Sequence, residues 1–131
     1  MKYQGSCHCG AISYEVEADI KEVMECNCSI CQRRGHLLVF VPRDRLKLKT
    51  PESKMAAYTF NKHLIKHRFC PVCGCGPFGE GKDPKGNVTA AINVRCLDDV
   101  DLTKLKDIPA PTPFTTYKAG GFFDKERPRG R

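Results

Sequence analysis

Nine cysteines stand out among the 131 residues of this chain, because most of them fall into three tight clusters. The clusters are Cys7-His8-Cys9, Cys26-Asn27-Cys28-Ser29-Ile30-Cys31 and Cys70-Pro71-Val72-Cys73-Gly74-Cys75. An odd number of cysteines does not fit a closed set of disulfides, whereas closely spaced thiolates are typical ligands of a soft metal such as Zn²⁺. The clusters therefore predict metal binding.

The first and last clusters can build one closed metal site. In an extended Cys7-x-Cys9 pair both sulfurs lie on the same side of the chain. The sequence Cys70-x-x-Cys73-Gly74 has the form of a zinc knuckle, in which glycine supplies a left-handed turn. Four thiolates complete the tetrahedron of a structural zinc site. We therefore predict one structural Zn²⁺ held by Cys7, Cys9, Cys70 and Cys73.

The middle cluster offers three thiols without an obvious fourth ligand. An extended step from Cys26 to Cys28 and a helical step from there to Cys31 can bring the three sulfurs together. Three protein ligands leave one position on zinc open, as catalytic zinc requires. The alternative is a second closed site, completed by Cys75, His8 or His36.

An open site of this kind favours a sulfur ligand. Three thiolates around Zn²⁺ carry a net charge of about −1, so the metal is a poor activator of water but a suitable soft site for a thiolate. We therefore expect the substrate's thiolate to bind the open position of a zinc ion held by Cys26, Cys28 and Cys31. Arg33 and Arg34 follow directly and can bind a substrate carboxylate, the alternative being that both are simply solvated.

The elements that must position these residues are mostly short strands. Alternating or β-branched runs occupy residues 11–17, 37–41, 55–60, 63–69 and 88–97. Helical turns are predicted only around residues 28–34 and 101–106. The expected fold class is therefore mainly antiparallel β, with one or two short helical turns. Residues 76–83 resemble a phosphate-binding loop but lack its Ser or Thr, and we predict a turn between strands there.

Several further side chains have weaker signals. His63 and His67 have the spacing of a zinc helix, but they lie in a strand-like run that separates them too far to share one metal. His8 and His36 flank the clusters as either proton carriers or solvated side chains. Cys75 is a candidate spare ligand, and Cys96 is predicted to be a small buried hydrophobic residue.

The composition indicates one small domain in a reducing compartment. Residues 1–108 are predicted to form the zinc-binding domain, and the Pro- and Gly-rich residues 109–131 an extended, partly disordered tail. The N-terminus lacks the apolar stretch of a secretory signal, and no apolar run approaches the roughly 20 residues that span a bilayer. We therefore expect a cytoplasmic protein without a membrane partner.

The charge favours a small anionic substrate. The net charge of +7 comes from 22 Lys and Arg against 15 Asp and Glu, and it falls to about +4 when seven thiolates hold two Zn²⁺. Because the basic residues are scattered along the chain, the pattern does not indicate a nucleic-acid partner.

Three motifs together resemble a known family. They are Gly5-Ser6-Cys7-His8-Cys9-Gly10, Cys26-Asn27-Cys28-Ser29-Ile30-Cys31-Gln32-Arg33 and Phe69-Cys70-Pro71-Val72-Cys73-Gly74. In this order they closely resemble the glutathione-dependent formaldehyde-activating enzyme family, and the likeness runs from about residue 5 to residue 98. Unlike many such proteins, the chain has no Trp near its end, or anywhere else.

The resemblance implies a fold, two metal sites and an activity. It implies a β-tent fold with structural zinc at Cys7, Cys9, Cys70 and Cys73 and catalytic zinc at Cys26, Cys28 and Cys31. It also implies a carbon-sulfur lyase that acts on a small thiol adduct such as S-(hydroxymethyl)glutathione, with glutathione as the thiol. The alternative function is a non-catalytic zinc-binding module for an acidic partner, since a centromere-associated relative carries a similar domain.

Overall fold

The computed structural model describes residues 1–25, 29–60, 63–82 and 85–109. Short strands dominate this part of the chain, as expected from β-branched and aromatic residues separated by Gly and Pro. The strands are β1 Lys2–Ser6, β2 Ser13–Glu17, β3 Glu22–Glu25, β4 Leu37–Pro42, β5 Leu46–Leu48, β6 Ala56–Tyr58, β7 Ile65–Phe69, β8 Phe78–Lys82, β9 Val88–Asn93 and β10 Lys106–Pro109. Helix α1 spans Ser29–Arg34, and 3₁₀ turns span Arg43–Arg45, Glu52–Lys54, Val94–Cys96 and Leu102–Lys104.

The strands form two sheets. The small sheet has the order β1-β2-β5, and the large one has the order β10-β3-β4-β9-β8-β7-β6. Neighbouring strands are antiparallel, except that β10 pairs with β3 in parallel. The prediction of a mainly antiparallel β fold without long helices is thus confirmed for the described residues.

The two faces of the large sheet have different environments, because side chains alternate along each strand. One face, the inner face, carries Val41, Ala90 and Ile92, which are buried in the same core as Tyr14 and Val16 of the small sheet. The opposite face, the outer face, carries Leu38, which packs in a separate cluster with Cys31 of α1. Helix α1 therefore lies over the outer face, away from the main core.

The predicted turn at residues 76–83 is wrong, because β8 occupies most of it. Gly79 and Gly81 lower the strand propensity of this segment. However, β8 pairs with β7 on one side and β9 on the other, and these pairings outweigh the local preference.

The helical predictions are partly confirmed. The first corresponds to α1. The second is only a 3₁₀ turn, capped by Asp101 Oδ1, which accepts a hydrogen bond of 3.0 Å from the Thr103 amide. The chain then enters β10, whose last residue is Pro109. Of the predicted tail, residues 110–131 lie outside the described part of the chain.

Within the described residues, no helix is both long enough and apolar enough to cross a membrane.

Candidate functional site

Four cysteines from two distant parts of the chain converge at one point. Cys7 and Cys9 lie between β1 and β2, whereas Cys70 and Cys73 follow β7. Their sulfurs all lie within 4.8 Å of one another. The Cys7–Cys9 and Cys9–Cys70 sulfur distances are 3.7 and 3.6 Å. A tetrahedron with zinc–sulfur bonds of 2.3 Å has edges of about 3.8 Å. The predicted set of four is therefore brought together in a geometry that fits a metal.

Glycines in left-handed conformations make the two turns of this cluster. Gly10 has φ +84° and Gly74 has φ +80°, values that side-chain-bearing residues rarely adopt. The turns direct backbone amides at sulfur: the Ile12 amide donates to Cys7 Sγ at 3.3 Å, and the Val72 amide donates to Cys70 Sγ at 3.3 Å. Such donors stabilise thiolates, which are the form that binds a metal.

The electrostatics of the cluster agree with this interpretation. The backbone amides of Cys75 and Cys9 lower the pKa of the Cys73 thiol to about 5. The Cys73 amide lowers the pKa of the Cys70 thiol. The Ala11 amide acts in the same direction on Cys9, but Cys70, burial and the other two thiols outweigh it and raise the pKa of Cys9 to about 11. The cluster thus holds negative charge that a bound cation would neutralise.

A second feature is a pocket on the outer face of the large sheet, beside α1. Its cavity volume is about 60 Å³. Cys31, Arg34 and His36 line it from the helix and the residues that follow. The strands contribute Leu38, Phe40, Ile65, His67, Phe78, Gly79, Glu80, Gly81, Thr89 and Ala91. Cys31 is nearly buried, with 8% of its surface exposed.

Arg34 is the main cation of this pocket. Its guanidinium lies over the Phe69 ring, 5.7 Å from the ring centroid. Burial lowers the pKa of Arg34, whereas Cys31 and Tyr58 raise it, and an arginine remains charged at neutral pH. Of the two predicted anion-binding arginines, Arg34 lines the pocket and Arg33 is exposed.

The segment after the last cysteine cluster positions Arg34 and His36. A Cβ atom at Gly76 would lie 3.0 Å from both Arg34 Nη1 and His36 Cε1, so only glycine allows these side chains to approach so closely. Asn93 holds this segment, since its Nδ2 donates to the Gly76 carbonyl at 3.1 Å. Arg34 and His36 of the pocket therefore pack against the segment that follows Cys70 and Cys73.

The other predicted site residues have different positions. Cys26 and Cys28 lie outside the described residues. His8 is exposed, and Cys75 is half-buried. Cys96 is also half-buried, 3.6 Å from Asn93 Nδ2, and burial raises its pKa to about 11, so it remains a neutral thiol.

Sequence reasoning did not assign His67 to the candidate site. The His67 ring stacks on Phe60, 5.3 Å between centroids, and it lines the pocket together with Ile65. The signal was available, because residues two apart on a strand share a face. His63 lies before β7, with its Nδ1 2.7 Å from Thr59 Oγ1.

Glu80 is also one of the pocket's lining residues, and two arginines hold its carboxylate. Arg43 Nε donates to Oε2 at 2.7 Å, and Arg68 Nε donates to Oε1 at 2.8 Å. Burial would raise the pKa of the Glu80 carboxyl, but these hydrogen bonds and charges outweigh it and hold the pKa below its ordinary value of 4.5. Glu80 therefore joins β8 to β7 and to the 3₁₀ turn after β4 as a carboxylate.

Comparison with known proteins agrees with the cysteine pattern and the fold. Residues 2–112 match the family described as glutathione-dependent formaldehyde-activating enzyme. A crystal structure of a Rhodobacter sphaeroides protein is similar, with a TM-score of 0.70 and 30% sequence identity. The similarity covers 83% of this chain and 98% of that one. The chain thus belongs to the glutathione-dependent formaldehyde-activating enzyme family.

Proposed function

We propose that this protein is a zinc-dependent carbon-sulfur lyase that acts on a small thiol adduct such as S-(hydroxymethyl)glutathione. The observation that carries the proposal is the position of Cys31. Four other cysteines form their own cluster, whereas Cys31 lies on a pocket that also contains Arg34 and His36. Family membership supports a glutathione-related reaction.

The proposal assigns two zinc ions. The four-thiol cluster of Cys7, Cys9, Cys70 and Cys73 is the structural site, and Cys26, Cys28 and Cys31 hold the catalytic ion. The sulfur distances support the first assignment. The second is supported by the spacing of the three cysteines and by the pocket at Cys31. With these sites, the two sheets correspond to a zinc-stapled β-tent fold.

The reaction needs no co-reactant. In the cleavage direction, the carbon–sulfur bond breaks, the hydroxyl proton leaves, and formaldehyde forms as the sulfur keeps the electron pair and takes up a proton. Zinc, when bound, supplies a soft positive position for the thiolate. Side chains of the protein orient the adduct and carry the proton.

Two kinds of side chain suit these tasks. The Arg34 guanidinium can bind a glutathione carboxylate through two parallel N–H donors and so orient the adduct. His36 and His67 both line the pocket, and an imidazole is suited to carry the hydroxyl proton near neutral pH. Because the thiols must remain reduced, we propose a cytoplasmic location.

Magnetisation exchange between ¹³C-formaldehyde hydrate and S-(hydroxymethyl)glutathione tests the proposal. We expect the zinc-loaded protein to raise the exchange rate above the spontaneous one, and Cys31→Ser to abolish the increase. Cys96→Ser is the matched control, because it removes a half-buried thiol that we do not assign to a metal, and it should keep the activity. Equal loss in both variants, or no acceleration by the wild type, would contradict the proposal.

A further inference from the structure

We infer that the pocket beside Cys31 binds an apolar substituent on the reacting carbon, so that the preferred substrate is the adduct of glutathione with an apolar aldehyde larger than formaldehyde. This inference rests on the proposed function, since it names the substrate class of the same site. Cleavage of this adduct balances as it does for S-(hydroxymethyl)glutathione: the carbon–sulfur bond breaks, the hydroxyl proton leaves, the aldehyde forms and the sulfur is protonated.

The size of the pocket exceeds what formaldehyde requires. A hydroxymethyl group has only two heavy atoms. The cavity volume is about 60 Å³, and a single water-sized group needs about 10–15 Å³ of such volume, so the cavity holds about four to six of them. A substituent of several carbons on the reacting carbon would occupy this space beside Cys31.

The pocket exists because small residues occupy the centre of the outer face. On β8, Gly79 pairs with His67 on one side and Ala91 on the other. Gly81 pairs with Ile65. Since paired residues in an antiparallel sheet share a face, the glycines leave a depression between larger neighbours. A strand of ordinary β-branched residues would fill it.

The walls of this depression are largely apolar, although His67 and Thr89 also line it. Leu38 and Phe40 of β4 border it on one side and Ile65 of β7 on the other. Phe40 is 41% exposed although it is a large aromatic residue, so a ligand placed against it would remove apolar surface from water.

The charges of the pocket do not favour a cationic substituent. Glu80 is the one acidic side chain among the described residues that line the pocket, and Arg43 and Arg68 already bind both of its oxygens. Arg34 lies on the same helix as Cys31, and its guanidinium suits a glutathione carboxylate. The site therefore combines an anion-binding group with an apolar wall.

Binding of S-alkylglutathiones tests the inference by calorimetry. These compounds keep the carbon–sulfur bond of an adduct and extend its carbon part from methyl to butyl and hexyl. With zinc-loaded wild type, we expect the dissociation constant to fall by about two- to fourfold for each added methylene.

Substitutions that fill the pocket should abolish the increase in affinity with alkyl length. A Cβ at Gly79 would meet Lys66 O at 3.4 Å and the His67 and Ile65 side chains at 3.9 Å, so Gly79→Ala fits without a clash and Gly79→Val extends further. We expect these variants to bind S-methylglutathione like wild type and to lose the dependence on chain length in the order Ala, then Val. Ala57→Val adds two methyl groups at an exposed position of β6 and should behave like wild type.

The outcomes separate this inference from the proposed function. If glutathione alters the spectrum of the cobalt-substituted protein but affinity does not depend on alkyl length, the lyase proposal stands and the apolar substrate class is wrong. An unchanged length dependence in a folded Gly79→Ala protein would also overturn it. If glutathione leaves the cobalt spectrum unchanged, both proposals fail together.

Discussion

At the scale of single residues, a glycine and a tyrosine show how closely the core beside the cysteine cluster is packed. Tyr14 is completely buried, and its ring packs edge-on against Phe78 with 5.7 Å between centroids. A Cβ at Gly5 would overlap Tyr14 Cζ, closer than any real contact allows. The side chain of Tyr14 thus requires glycine on the adjacent strand β1.

We therefore predict that Gly5→Ala lowers the free energy of unfolding by about 1–3 kcal/mol, because the added methyl must displace a buried ring. Urea denaturation followed by circular dichroism would measure this. Gly79→Ala is the matched control, since its new Cβ meets nothing closer than 3.4 Å. Equal stability of the two variants would contradict the packing argument.

At the same scale, the sequence identified the cysteines but not all their surroundings. Cys7, Cys9, Cys70 and Cys73 could be grouped from spacing alone, because local turn geometry and metal chemistry restrict which thiols can meet. Which arginine lines the pocket depends on where α1 lies over the large sheet, and that placement comes from the packing of Cys31 on Leu38. Spacing contains no such information.

At the scale of elements, the position of β8 depends on pairings rather than on local preference. The long strands β4 and β9 were visible as apolar runs, whereas β8 contains two glycines and was predicted to be a turn. One partner, β7, precedes β8 in the sequence and the other, β9, follows it. The strand conformation of β8 therefore depends on the assembled sheet. The Arg43–Glu80–Arg68 bridge adds side-chain contacts that fix this strand.

We predict that Glu80→Gln lowers the free energy of unfolding by about 1–3 kcal/mol at pH 7, since it removes the charge that two arginines bind. The folded-state pKa of Glu80 lies below its ordinary value of 4.5, so the contribution is complete above pH 4.5 and is lost as the pH falls through the folded-state pKa. The gap between variant and wild type should therefore close in acid.

Denaturation curves between pH 7 and pH 3 would measure this gap. Glu17→Gln is the control, because Glu17 bonds Arg45 at 3.2 Å but half of its side chain is exposed. We expect this substitution to lower the free energy of unfolding by less than about 1 kcal/mol. If Glu80→Gln remained less stable than wild type below the folded-state pKa of Glu80, the role of the carboxylate would be contradicted.

At the scale of the whole molecule, the proposal divides the metals between stability and chemistry. The four-thiol cluster connects the β1–β2 turn of the small sheet to the end of β7 in the large sheet. Structural zinc contributes about 10–16 kcal/mol in small peptides, which is comparable to the stability of an entire domain. The other metal is assigned to the α1 region, at the surface of the large sheet.

We accordingly predict that Cys73→Ala yields unfolded or insoluble protein, whereas Cys28→Ala folds and loses one equivalent of zinc. Circular dichroism together with metal analysis by mass spectrometry would measure both properties. If the two variants lost folding equally, the division between a structural and a catalytic metal would be wrong.

The proposed chemistry requires a substrate thiol to reach the metal held by Cys26, Cys28 and Cys31. The absorption spectrum of the cobalt-substituted protein measures this contact. When glutathione is added, its sulfur should replace an oxygen ligand and change the thiolate-to-cobalt charge-transfer band. We predict this change in wild type and its loss in Cys28→Ala. A band that glutathione leaves unchanged, or glutathione binding that persists at full affinity in Cys28→Ala, would contradict the proposed lyase activity and favour a zinc-binding module without catalytic activity.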